Sequence, residues 1–214
     1  EDGTMIPLSL FLLVLNENSY IRYVDQMVFE LVCKMIQESI QKGMKMVPIS
    51  FNLSKASFED EPFMQEYMEV FQQFDIPKEY IEFELLESIS MDNSDKLIKV
   101  VDTIHKAGFR CALDDFGSGY SSMSVLARVP IDIIKLDRSL FQNPYRDIDK
   151  FLIVDGLLDI LHHFPVQIVA EGVEDETVAE HMRQHGCDMI QGFYYYRPMP
   201  MDEFQRLIAE QGEC

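Results

Sequence analysis

A chain of 214 residues with 18 Lys+Arg against 37 Asp+Glu carries a formal charge of −19. That balance excludes a general binder of DNA, RNA or anionic membrane, which needs a basic patch. A hydrophobic fraction of 47% excludes a disordered acidic tail, and no apolar run approaches the roughly 20 residues that cross a bilayer.

Taken in chain order, the hydrophobic pattern predicts a long helix over 19–42, a strand over 46–52 (MVPISFN), a helix over 61–74 and a strand over 81–86 (IEFELL). A helix follows over 94–107, with Leu97, Val100, Val101 and Ile104 on one face, Asn93 or Ser94 to cap it and Gly108 to end it. Then come a strand over 110–115, a short helix over 121–128 and a strand over 131–136. A helix over 147–163, a strand over 166–170, a helix over 175–185, a strand over 187–190 and a terminal helix over 201–211 complete the chain. Strict alternation of strands and helices implies parallel βαβ units, in a (β/α)8 barrel or an open doubly wound sheet. No G-x-G-x-x-G follows a first strand, which counts against dinucleotide binding. Six strands are two short of a closed barrel, and the chain starts at Glu1 without a Met. It is read as an N-terminally truncated piece of a longer protein, 1–214 being one domain whose first strand is missing. No basic segment precedes the apolar run at 8–15, so no signal peptide is expected. Cys33, Cys111, Cys187 and Cys214 show no zinc-type spacing and read as reduced thiols of a cytoplasmic protein.

Each strand ends its apolar run in a polar group. Side chains alternate along a strand, so Asn52 shares a face with Ser50, Glu84 with Glu82, Asp114 with Ala112, Lys135 with Ile133, Glu171 with Val169 and Gln191 with Met189. In parallel α/β folds these strand ends lie on one side, where sites are built. Glu84, Asp114, Asp115 and Glu171 would thus stand close together. Carboxylates that close need a compensating cation, and oxygen-only ligands, with Asn52 as a neutral one, favour Mg²⁺, Mn²⁺ or Ca²⁺ over zinc. The adjacent Asp114 and Asp115 can serve two ions, an arrangement suited to in-line attack on a phosphodiester, with Lys135 directed at the water or phosphate. Glu82, one layer deeper, needs a partner, and Arg110 on the next strand is the candidate.

The segments SFNLS (50–54), FELLES (83–88), DDFGSGYSS (114–122), IKLDRS (134–139), AEGVE (170–174) and QGFYYYRPMP (191–200) resemble, in order, the motifs of the EAL domain family of cyclic di-GMP phosphodiesterases. The resemblance implies a modified TIM barrel, two Mg²⁺ or Mn²⁺ ions, and hydrolysis of cyclic di-GMP to linear pGpG. It assigns metal ligation to Asn52, Glu84, Asp114, Asp115 and Glu171, and catalytic roles to Lys135 and Glu171. Glu87 would hold the loop after the Asp pair, Phe116 to Ser122, which in the family also shapes the dimer interface. Gln191 and Asp115 would face the substrate. A homodimer and an attached sensor or GGDEF domain are further expectations. Two features depart from the family. The E-A-L segment would fall just before Glu1, and the motif resembling F-I-P-x-x-E reads FLLVLN (11–16), with Leu13 for Pro and Asn16 for Glu. The alternative is therefore a degenerate EAL domain that binds cyclic di-GMP or a protein without hydrolysis.

Other motifs read more plainly. Asp115-Phe116-Gly117 lacks the companions of a kinase. His181 and His185 have a zinc-compatible i, i+4 spacing but no H-E-x-x-H glutamate, and read as surface histidines. His162 and His163 read as a polar pair at a helix end. Tyr194, Tyr195 and Tyr196 could stack on a guanine, although packing at a strand end is the simpler reading.

Overall fold

Helix and strand alternate as the hydrophobic pattern requires in the computed structural model of the protein, which describes residues 15, 20–58, 62–87, 94–118, 123–141 and 151–211. The described elements are α1 (Ile21–Gln41), β1 (Ile49–Asn52), α2 (Phe63–Phe71), β2 (Ile81–Leu86), α3 (Ser94–Ala107), β3 (Arg110–Phe116) and α4 (Met123–Arg128). There follow β4 (Ile133–Leu136), α5 (Leu152–Leu161), β5 (Gln167–Ala170), α6 (Glu176–Gln184), β6 (Met189–Ile190) and α7 (Met201–Gln211). Short 3₁₀ turns at Lys55–Phe58, Lys78–Tyr80 and Arg138–Leu140 were not expected from periodicity. β1 is shorter than its expected span. Pro48 has no N–H to give a ladder, so pairing starts at Ile49. The FLLVLN segment apart from Leu15, the cap candidate Asn93 and the side chain of Ser94, loop residues 119–122 and the start of the 147–163 helix lie outside the described residues.

All six strands pair in parallel and in sequence order, β1-β2-β3-β4-β5-β6. A doubly wound sheet reverses its strand order at a switch point. This one does not, so right-handed crossovers put every helix on the same side and the sheet curls with strand ends facing inward. The fold is α/β, six parallel strands of a modified TIM barrel.

Parity along the strands separates two cores. Phe51, Ile81, Phe83 and Leu85 point outward and are buried under the helices. There Phe29 of α1 and Tyr67 of α2 meet edge to face, their centroids 5.1 Å apart, and Phe51 and Phe83 meet at 5.7 Å. Each such ring removed from water contributes about 2 kcal/mol. α1 buries Ile21, Phe29, Cys33 and Ile36 on one stripe, and α3 buries Leu97, Val100, Val101 and Ile104 as its spacing predicts. Gly108, at φ 88°, ends α3 in the left-handed conformation expected of it. Asp25 is a buried carboxylate on the α1 stripe. Its Oδ2 accepts from Ser54 N at 3.0 Å and Ser57 Oγ at 2.6 Å, fixing the turn that follows Asn52. Cys33 and Cys111 are buried free thiols, and burial pushes Cys33 up to about 12.

The inward faces form the second core. Ala112, Ile133 and Val169 make a small apolar layer. Below it Arg110 Nη1 donates to Glu82 Oε1 at 2.8 Å, the pairing expected from the strand register. Gln167 Oε1 accepts from the other Arg110 nitrogen. Burial raises the Glu82 pKa, against the opposing charge of Arg110. At the chain end, α7 buries Ile208, and Gln205 Nε2 donates to Ser39 Oγ of α1 at 3.0 Å.

Candidate active site at the strand ends

The Asp114-Asp115 pair depends on an irregularity in β3. Strict alternation would send adjacent side chains to opposite faces. The β3–β4 ladder keeps register through Leu113↔Ile134 and resumes at Phe116↔Leu136, so two residues of β3 face one of β4. This is a β-bulge, and Asp115 takes the left-handed conformation at φ 57°, which Asp tolerates better than most residues. As a result Asp114, Asp115 and Glu171 can each turn one ligand oxygen to a point where all three lie within 4.8 Å of one another. Asp115 N also donates to Asp114 Oδ1 at 3.0 Å.

Lys135 sits at the centre of this cluster. Its Nζ lies 2.5 Å from Glu84 Oε1, 2.5 Å from Glu171 Oε1 and 3.6 Å from Asp114 Oδ1. Lys135 and Glu84 are 6% and 4% exposed, so the pair is removed from water. Burial alone would depress the Lys135 pKa, but Glu84, Glu171 and Asp114 outweigh it and hold the ammonium charged. Glu171 goes the other way. Burial pushes it up to about 7 despite Lys135, with the charge of Asp114 adding to the rise. The two shifts pull against each other across one ion pair. The ammonium is shared by several acids and stays charged, so Glu171 is the group in which the excess negative charge shows. Burial, then the charges of Asp114 and Asp137, also raise Asp115.

One ammonium thus faces Glu84, Asp114, Asp115 and Glu171. A hard divalent cation would supply the missing positive charge, and the all-oxygen donors suit Mg²⁺ or Mn²⁺. Asn52 stands beside Glu84 in the β1–β2 register and is exposed. Glu87 is not in the cluster. It is buried behind the bulge, its N donating to Asp114 O at 3.0 Å and its Oε2 accepting from Gly117 N at 3.4 Å. Gly117 is obligatory there, since at φ 93° a Cβ would lie 2.6 Å from Leu140. Gln191 follows β6, exposed, with its N bonded to Ala170 O at 2.8 Å. Lys135, Gln191, Tyr195 and Tyr196 line a cavity of about 780 Å³ that continues down to Glu82 and Arg110. Tyr194, Tyr195 and Tyr196 are 40–49% exposed rather than packed away as the simpler reading had it.

Two predictions follow from these positions. Gly192→Ala should lower stability by about 3 kcal/mol, because its Cβ would stand 2.1 Å from the backbone oxygen of Val173. Chemical denaturation checks it, and a variant as stable as the parent refutes the close approach. The second concerns pH. The folded-state pKa of Glu171 is raised from 4.5 to about 7, so its contribution is complete below 4.5 and is lost as pH rises through about 7. Metal-free protein should therefore lose on the order of 2 kcal/mol across that window relative to Glu171→Gln. Thermal melts in a chelator at stepped pH measure the difference. Parallel curves for the two proteins would remove Glu171 as the weak acid.

Comparison with known proteins identifies the family. Residues 1–198 match the EAL domain. The chain is 29% identical over 210 residues to Signaling protein YkoW of Bacillus subtilis, covering 98% of this chain and 26% of that one. It is 29% identical over 206 residues to Cyclic di-GMP phosphodiesterase PdeR of Escherichia coli, covering 96% of this chain and 31% of that one. It therefore spans between a quarter and a third of these relatives. The solved structure of the PaMucR phosphodiesterase in complex with c-di-GMP superposes with a TM-score of 0.86 at 27% identity, covering 95% of this chain and 82% of that one. With six motifs in order at the strand ends of a parallel barrel, the chain belongs to the EAL domain family.

Proposed function

We propose that the protein is a divalent-metal-dependent phosphodiesterase that hydrolyses one phosphodiester of cyclic di-GMP to linear pGpG. The observation that carries this reading is the meeting of Asp114, Asp115 and Glu171, with ligand atoms within 4.8 Å, beside the buried Lys135. The name of the Escherichia coli relative and the c-di-GMP in the PaMucR complex support the substrate.

Asn52, Glu84, Asp114, Asp115 and Glu171 would hold the cation, which when bound supplies Lewis-acid stabilisation of charge on a phosphoryl oxygen. The rest falls to the protein. The Lys135 ammonium draws the phosphodiester toward the strand ends and orients the attacking water. Glu171, beside Lys135 at the strand ends, is placed to accept a proton from that water. The water oxygen bonds to phosphorus, the P–O3′ bond breaks, and the leaving 3′ oxygen takes up a proton. The phosphate stays on the 5′ oxygen of the second guanosine. Glu87 acts as a positioning residue, bracing the backbone of Asp114 and Gly117. The exposed Tyr195 and Tyr196 offer faces on which guanine can stack.

The test is incubation of the full-length protein with cyclic di-GMP, in Mg²⁺ or Mn²⁺ and in a chelator, with products identified by mass spectrometry. Linear pGpG with metal and none in chelator is the expected result. Tight binding without product would instead favour the receptor reading, to which Asn16 in the FLLVLN segment points.

A further inference from the structure

Asp115 stands where β3 ends and Glu171 directly follows β5, and one short turn touches the backbone beside both. β4 lies between those strands in the sheet, and its chain runs on past Lys135 into the 3₁₀ turn Arg138–Leu140. Backbone bonds tie the start of this connection to both neighbours. Asp137 N donates to Phe116 O at 3.0 Å, and Glu171 N donates to Leu136 O at 3.0 Å. The turn itself is stiff. Asp137 Oδ1 accepts from Ser139 N at 2.9 Å, Leu140 N donates to Asp137 O at 3.1 Å, and the buried Phe141 anchors its end.

Two side chains of the turn lie on two glycines. Leu140 covers Gly117, where an added Cβ would stand 2.6 Å from Leu140 Cδ1 and 2.7 Å from Cδ2. Arg138 covers Gly172, where an added Cβ would stand 2.9 Å from Arg138 Cβ and 3.0 Å from Cδ. Both glycines hold left-handed backbone, at φ 93° and 66°. Gly117 lies just past Asp115, which is itself left-handed at φ 57°, and Gly172 directly follows Glu171. A residue such as Asp115 keeps that conformation only where its surroundings over-determine it. Glu87 contributes hydrogen bonds to this end, and Leu140 contributes packing. Arg138 Nη1 also lies 3.4 Å from Glu174 Oε1, but both side chains are exposed, so that pair adds little. The aliphatic stem on Gly172 is the stronger tie.

From these contacts we infer that Leu140 and Arg138 are positioning residues for phosphodiester hydrolysis, an inference that rests on the function proposed above. Leu140 fixes the backbone that carries Asp115, and Arg138 fixes the backbone that carries Glu171. Because both stand on one stiff turn, they set the spacing of a metal ligand and the proton acceptor about Lys135. They act through Asp115 and Glu171. A shift of about 1 Å in a reacting group can cost about 10²-fold in rate.

The experiment uses the full-length protein and four variants, Leu140→Ala, Leu140→Met, Arg138→Ala and Arg138→Met. Calorimetric titration gives the Mn²⁺ affinity, and steady-state hydrolysis of cyclic di-GMP gives kcat and KM. Leu140→Ala should weaken Mn²⁺ binding by about 10-fold, as loss of support behind a ligand does, and Leu140→Met, which refills the contact, should restore most of it. Arg138→Ala should lower kcat by about 10²-fold with KM and Mn²⁺ affinity near those of the parent. Arg138→Met keeps the stem without the charge and should recover most of kcat. A merely structural role would lower the melting temperature without dividing the two effects in this way. Parent-like Mn²⁺ affinity in Leu140→Ala, or parent-like kcat in Arg138→Ala, overturns the inference. So does an Arg138→Met protein as impaired as Arg138→Ala with KM raised, which would make the guanidinium a substrate contact. A parent protein that yields no pGpG refutes the proposed function instead, and the Mn²⁺ titrations of the Leu140 variants then decide the role of the turn.

Discussion

Glu171→Gln should lower kcat for cyclic di-GMP by about 10²- to 10⁴-fold, the usual contribution of a general base, while substrate binding persists. The amide keeps the shape of the side chain, and its oxygen can still accept from Lys135. What it loses is the carboxylate oxygen that can take a proton from the attacking water. The variant should fold, and in chelator at alkaline pH it should be at least as stable as the parent, because a repelling charge has gone. Loss of turnover with unchanged affinity for cyclic di-GMP and an unchanged or higher melting temperature separates a chemical role from a structural one. A variant that turns over normally would take proton transfer away from Glu171. One that no longer binds cyclic di-GMP would make it chiefly a binding residue.

Much of this site was legible in the sequence because a strand has a period of two and a parallel barrel has one inward face. Those two facts carry Glu84, Lys135 and Glu171 to one rim, and they also carry Glu82 to Arg110 one layer down. The Asp pair was legible only as a contradiction. Alternation cannot put both Asp114 and Asp115 on one face, and the bulge that does so is a slip against β4 that no local pattern announces. Adjacent acids at a strand end were the available signal. The tyrosines show the reverse case. A run of three aromatics reads as packing, but β6 is only two residues long and offers them little surface. His181 was read as a surface histidine because no H-E-x-x-H glutamate accompanies it. Its partners, Phe151 and Asp155, come from the preceding helix and are invisible to helical periodicity.

Lys135→Met should destabilise the metal-free protein by about 3–5 kcal/mol, the cost of leaving a buried charge without its partner. The methionine fills nearly the same space, so the loss comes from Glu84, which is 4% exposed and bonded to the ammonium at 2.5 Å. Without the cation, burial and the charge of Asp114 raise the Glu171 pKa further. Acids with raised folded-state values lose stability as pH rises, so the deficit should be largest above neutral pH and shrink on acidification. A packing defect would not follow pH in this way. Two further measurements locate the effect. Adding Glu84→Gln to Lys135→Met should recover a large part of the loss, since residues in one charge network do not add. Mg²⁺ should raise the melting temperature of Lys135→Met more than that of the parent, because an ion bound among the same carboxylates takes over the charge that the ammonium supplied. A Lys135→Met protein within about 1 kcal/mol of the parent at alkaline pH, well under the cost of an unpaired buried charge, would mean that solvent already neutralises the cluster. In that case neither Lys135 nor a metal would be needed to hold the four acids together.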